Sequence, residues 1–222
     1  MTERLIGGRR CLICGEAGDL LIQPADAHEL ESLAEEARLT EEYSGGRPFT
    51  LAAFEVADWN AELSPWEAPP VFGKEGFGSG AAQTLRFVTE RLVPELREGR
   101  GRLFLGGYSL AGLFALWAAF QTALFDGVAA VSPSVWFPGW DEYADANDVN
   151  AALVYLSLGD REERAKNPVM ARVGGCIRRQ RERLEASKAC RECVLEWNPG
   201  NHFSEPERRT ARGFGWLLGR ES

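Results

Sequence analysis

"RLFLGGYSLAGLFALWAAF", residues 102–120, joins an apolar run to a helix-like run, with Ser109 at the junction among small residues. "RLFLGGYS" reads as a buried strand and "LAGLFALWAAF" as a buried helix, so the serine stands on a tight strand–turn–helix bend. Such a bend brings the chain on either side of the serine together, and side chains two positions before and after it collide unless small. Here those positions are Gly107 and Ala111, and Gly112 follows. The pattern is G-x-S-x-A where a nucleophile elbow usually reads G-x-S-x-G. The bend is expected to strain the backbone at Ser109. It also lifts Oγ above the sheet and leaves the N–H of Leu110, at the helix N-terminus, free to donate to an oxyanion. Small residues that merely let a strand and a helix pack would look the same, so the partners must decide.

Working outward, short apolar runs alternate with helix-like segments, the rhythm of a mostly parallel sheet with helices on both faces. The pattern predicts strands near 10–15, 49–56, 102–108, 127–132, 152–158 and 192–198, with a further one near 19–23. Helices fit 27–38, 79–97, 109–122, 168–187 and 204–218. No repeat, low-complexity tract or linker divides the chain, so residues 1–222 read as one α/β domain. "FSEPE" offers Ser204 and Glu207 as a capping box for the last helix. "NPVMARVGG" places Pro168 in the first turn of another. Residues 57–78, rich in Trp, Pro and Gly, form the longest irregular stretch, and a loop of that length is often functional.

The 222 residues are 45% hydrophobic and 26% charged, an ordinary globular composition. A net charge of −8 argues against nucleic acid or an anionic membrane as partner. It also sets a slight bias against highly anionic substrates. Arg178, Arg179, Arg181 and Arg183 form a basic run, which Glu182 and Glu185 interrupt, so it reads as a solvated helix face. "MTERLIGGRRCLICGEAG" lacks the apolar core of a signal peptide, and no run approaches the ~20 apolar residues of a membrane span. A soluble, cytoplasmic protein with reduced thiols is the expectation. Among the five cysteines, Cys11–Cys14 and Cys190–Cys193 form C-x-x-C pairs. Each lies in an apparent strand, where residues three apart face opposite ways. Buried or edge thiols are therefore expected rather than zinc, with no metal and no cofactor.

There are two histidines. His28 lies in the acidic, solvent-facing segment "PADAHELESLAEEARL". His202, in "VLEWNPGNHFSEPE", follows the last strand, where ligand chemistry collects in an open α/β sheet. A carboxylate that orients it should follow the preceding strand. "ALVYLSLGDREERAKNP" supplies Asp160, Glu162 and Glu163 after a strand ending at Gly159. The chain order Ser, acid, His is that of α/β-hydrolases. Glu162 is the first choice, because the acid of many such folds stands three residues after a strand-ending glycine. Asp160 is the second, and Glu163 reads as a capping or solvated residue.

"GGYSLAGLFALW", "SLGDREERAKN" and "NPGNHF" together resemble the esterase D and enterochelin-esterase-like branch of the α/β-hydrolases, over roughly residues 49–218. The resemblance implies serine-dependent ester hydrolysis through an acyl-enzyme, with Ser109 the nucleophile, His202 the base and the carboxylate near 160–162 the orienter. No His-Gly-Gly-Gly oxyanion segment is present. The second donor is then expected from the loop after "FTLAAFEVADWN", at the backbone N–H of Trp59. Trp59, Trp66 and Phe72 of the long loop, with Trp136 and Phe137 of "VSPSVWFPGW", are candidates to line an aromatic pocket for a small-molecule ester. Ser132 and Ser134 read as turn residues. The leading expectation is a carboxylesterase. The alternatives are an acyltransferase or thioesterase with the same triad, or a non-catalytic binding protein of the same fold.

Overall fold

Gly7 and Gly8, at φ of +53° and +85°, reverse the chain between β1 (Thr2–Ile6) and β2 (Arg9–Cys14). A two-residue turn with positive φ at both positions suits the twist of paired strands, and glycine reaches it without strain. The structure, a computed structural model, describes residues 1–71 and 73–221. After β3 (Asp19–Ala25) come α1 (Ala27–Ser44), β4 (Phe49–Glu55), α2 (Trp59–Leu63), α3 (Ala81–Phe87) and α4 (Val93–Leu96). There follow β5 (Leu103–Tyr108), α5 (Leu110–Gln121), β6 (Gly127–Val131), α6 (Trp140–Ala146), β7 (Leu153–Gly159), α7 (Val173–Ala186), β8 (Glu192–Asn198) and α8 (Pro206–Leu218).

The strands form one sheet in the order β1-β2-β4-β3-β5-β6-β7-β8. β1, β2 and β4 pair antiparallel, and every pairing from β4 to β8 is parallel. Strand alternation divides the core in two. Leu105, Val128, Val154 and Leu156 face the layer that holds α3, α5 and α7, while Phe104, Ala129 and Tyr155 face α1 and α8. Every residue of α5 from Leu110 to Ala119 is buried, which is why its sequence is apolar all round. The connections diverge between β3 and β5, and the loops leaving β5–β8 share one edge of the sheet.

Several local expectations need correction. β1 was not expected, because four of its five residues are exposed and carry no alternating apolar face. α2 and α6 interrupt stretches that read as loops, and an Ala68–Phe77 bridge folds the long loop on itself. α3 and α4 are joined by a wider turn, Val88–Leu92, just before Pro94, which has no N–H to continue a regular helix. Ser204 does not cap α8. Its hydroxyl accepts from Asn201 N–H at 3.0 Å, and the helix opens on Glu205 at φ 51°, with no side-chain cap, followed by Pro206. Pro168 precedes a short 3-10 turn, Met170–Arg172, rather than α7 itself, and Asn167 Oδ1 accepts from Val169 N–H at 2.9 Å. Cys11 and Cys14 pack in opposite layers as strand alternation requires. Cys190 and Cys193 both pack in the α7 layer, because Cys190 lies ahead of β8, where alternation has not begun. All five thiols are free. Among the described residues no helix is long and apolar enough to cross a membrane.

Candidate active site

Ser109, between β5 and α5, has φ 57° and ψ −118°, a conformation that an L-residue holds only when its surroundings enforce it. The enforcement is visible. Ser109 N–H donates to Val131 O, and Ser109 O accepts from both Leu113 N–H and Ser134 N–H, each at 3.0 Å. A Cβ on Gly107 would stand 2.6 Å from Ala111 Cβ and 2.8 Å from Ala111 C. At Gly112 a Cβ would lie 2.9 Å from Gly107 O. The small residues of the opening stretch are thus what lets the strand and the helix meet at this angle.

Ser109 Oγ lies 2.9 Å from His202 Nε2, and His202 Nδ1 lies 2.7 Å from Glu162 Oε2. Glu162 sits in a single 3-10 turn after β7, and its side chain is only 4% exposed. Its Oε1 accepts from Gly159 N–H at 2.7 Å, Ser132 Oγ at 2.8 Å and Arg209 Nη1 at 3.2 Å. Burial pushes the carboxyl up. The His202 hydrogen bond and charge, Gly159 N–H and the Ser132 hydroxyl outweigh it, and hold Glu162 below the usual carboxylate range. An ionised carboxylate only accepts, so Nδ1 of His202 carries the proton and donates it to Glu162. Nε2 is then left to accept from Ser109 Oγ–H.

Arg209, from α8, was not singled out in the sequence. Besides Glu162 it donates to Tyr108 Oη at 3.0 Å, and to Pro199 O and Asn201 O at 3.1 Å each. Tyr108 Oη in turn donates to His202 O at 2.7 Å. One guanidinium therefore ties the loop bearing the acid to the loop bearing the histidine. The only available signal was its place on the apolar face of an amphipathic helix, and "ERR" reads as solvated without the tertiary context.

The remaining candidates separate. Asp160 is exposed and accepts from Gly200 N–H at 2.8 Å, away from His202. Glu163 forms a double ion pair with Arg178, with both contacts at 2.9 Å. His28 is exposed on α1. Trp59 and Leu110 are each the first residue of a helix, so neither N–H has an intrahelical acceptor, and both residues border the same cleft as Ser109. Trp136 also borders it. Trp66 and Phe137, expected there, are not among its lining residues. Trp66 Nε1–H donates to Pro138 O at 2.8 Å and its ring packs on Phe137, so the two brace the loop from behind. Phe72 lies outside the described residues. Ser132 lies at the turn after β6, at φ 41°, and Ser134 Oγ is 3.4 Å from Ser109 Oγ.

The cleft over Ser109 has a volume of about 580 Å³. Trp59, Phe77, Trp136, Met170 and Val173 give it apolar walls, and Phe203, 85% exposed, stands beside it with its ring 5.5 Å from that of His202. Among the described residues no group of three or more His, Cys, Asp or Glu side chains is placed to hold a metal ion.

No family model matches the sequence, and no curated protein does. Solved structures do match. An IroE-like serine hydrolase from Shewanella oneidensis is 17% identical with a TM-score of 0.72, over 95% of this chain and 75% of that one. The siderophore hydrolase EstA from Aspergillus nidulans is 21% identical with a TM-score of 0.73, over 95% and 89%. The enterobactin esterase FES from Shigella flexneri is 17% identical with a TM-score of 0.64, over 94% of this chain and 55% of its own. The chain has the α/β-hydrolase fold shared by these enzymes.

Proposed function

We propose that this chain is a serine hydrolase, specifically a carboxylesterase acting on small-molecule esters, with residues 1–222 working as one domain. The carrying observation is the continuous line from Ser109 Oγ through His202 to a buried, ionised Glu162 at the base of an apolar cleft. The shared fold and the activities named for the matching structures support the same reading. Five free thiols favour a reducing compartment, consistent with the cytoplasm.

The chemistry follows from the geometry. Ser109 Oγ attacks the ester carbonyl as its proton passes to His202 Nε2. Glu162 holds the ring in the tautomer that can take the proton and stabilises the imidazolium that results. The developing oxyanion accepts from the N–H groups of Leu110 and Trp59. His202 then returns the proton to the departing alkoxide, and the alcohol leaves an acyl-Ser109. Water, deprotonated by the same Nε2, attacks the acyl carbon. The proton goes back to Ser109 Oγ and the acid departs. Trp136 packs against the apolar part of the ester. Stopped-flow hydrolysis of 4-nitrophenyl butyrate tests this. A nitrophenol burst that scales with enzyme, absent in Ser109→Ala, is expected, whereas equal turnover by the two proteins would overturn it.

A further inference from the structure

We propose that residues 161–166 form an anion subsite, so that the ester attacked by Ser109 carries a carboxylate or a comparable anion; this rests on the esterase reading above. "REERAK" packs three cations and two acids into six residues, and the fold separates them by destination. Glu162 turns inward to His202 and Arg209, and Glu163 turns away to Arg178. Arg161, Arg164 and Lys166 remain on the cleft wall.

Among the described residues these cations have little to neutralise them. Among the described lining residues Glu162 is the only carboxylate, and its charge is already engaged. Arg164 and Lys166 form no ion pair among the described residues. The nearest acid to Arg161 is Asp160, at 3.9 Å with both side chains more than half exposed, a contact of little worth. A local surplus of positive charge thus borders the cleft of a chain whose net charge is −8. A low-dielectric cleft lined by one sign of charge concentrates ligands of the other.

The backbone that carries these cations is held in place, while their side chains are exposed. Arg161 N–H donates to Gly200 O at 3.0 Å and Arg164 N–H donates to Arg161 O at 3.0 Å. Asn167 Nδ2 donates to Val71 O, fastening the end of the segment to the long loop. A fastened backbone reduces the loop ordering needed to bind, leaving only the side chains to settle. Trp59, Phe77 and Trp136 supply apolar surface in the same cleft, so the ligand that fits is an ester with an apolar part and an anionic end.

The test uses two matched pairs of esters. Mono-4-nitrophenyl glutarate against 4-nitrophenyl pentanoate places the anion on the acyl side. 4-Carboxyphenyl butyrate against 4-carbamoylphenyl butyrate places it on the leaving group. In at least one pair kcat/KM should favour the anion by about tenfold at low salt, mainly through KM, and the preference should shrink in 0.5 M NaCl. In Arg164→Gln/Lys166→Gln the anionic-to-neutral ratio should fall about fivefold or more. Turnover of the neutral esters with no anionic preference in either pair overturns the subsite and leaves the esterase reading standing. If no ester turns over and a fluorophosphonate leaves Ser109 unmodified, the esterase reading fails and takes the subsite with it. If Ser109 is modified yet no ester turns over, adipate is compared with adipamide as protectant. Protection by adipate alone supports the subsite, and equal effects overturn it.

Discussion

Arg209 Nη1 lies 3.2 Å from Glu162 Oε1, and the two side chains are 3% and 4% exposed. The buried charges neutralise each other, and their remaining hydrogen-bonding atoms reach His202, Tyr108, Ser132 and the 199–201 backbone. Removing one partner of such a pair strands the other in a low-dielectric interior. Arg209→Met should therefore cost about 3–5 kcal/mol in urea unfolding. Arg209→Lys keeps the charge but cannot span both loops, and should fall between wild type and Met. Equal stability of wild type and Arg209→Met would show that the guanidinium holds nothing together.

Glu162 and Asp160 are two positions apart, and only Glu162 reaches His202. Glu162→Gln retains the shape but offers an amide where an ionised acceptor is needed, which destroys the tautomer control. A fall in kcat of roughly 10³–10⁴ is expected. Asp160→Asn should stay within about threefold of wild type. Steady-state hydrolysis of one neutral ester separates the two, and the reverse ranking would move the acid to position 160.

Gly107 faces Ala111 so closely that an added Cβ would meet backbone as well as side chain. Backbone cannot swing aside, so Gly107→Ala should destabilise by about 1–3 kcal/mol and displace Ser109. The urea midpoint and the ester rate should fall together. A drop in stability with an unchanged rate would mean that the bend tolerates a wider angle than the structure has.

Glu36, on α1, is 5% exposed, and its Oε1 has no hydrogen-bond partner among the described residues. Burial pushes its carboxyl up to about 8, with the charges of Glu29 and Glu207 adding and a Gln23 hydrogen bond opposing. The folded state therefore keeps a proton that the unfolded chain has released, and stability drains away as pH rises from the ordinary carboxylate range towards 8. Glu36→Gln removes the proton altogether. Its stability gain over wild type should grow from pH 5 to pH 8.5, reaching about 2–4 kcal/mol. Thermal melts at several pH values check this, and a gain independent of pH would refute the buried-proton account.

What the sequence made legible follows from how local the signals are. The bend at Ser109 needs small residues within three positions of it, and the central strands β5, β6 and β7 are continuous apolar runs, so both could be read from a short window. The edge strand β1 has no buried face to leave a pattern, and the short helices α2 and α6 lie in stretches dominated by Trp, Pro and Gly. Arg209 and the bracing pair Trp66–Phe137 depend on contacts spanning the chain, which no periodicity announces. Ser204 shows a local signal losing to a competing one, since its hydroxyl serves the Asn201 turn and Pro206 starts the helix unaided. A net charge of −8 over the chain likewise carries no sign of the three cations that line the cleft.

The proposed chemistry rests on Ser109 being an activated nucleophile. Intact-mass spectrometry after fluorophosphonate treatment, on wild type, Ser109→Ala and His202→Ala, tests it most directly. One adduct is expected on wild type, none on Ser109→Ala, and strongly slowed labelling of His202→Ala. A folded wild-type protein that takes up no reagent, or a Ser109→Ala variant that labels equally fast, would contradict it.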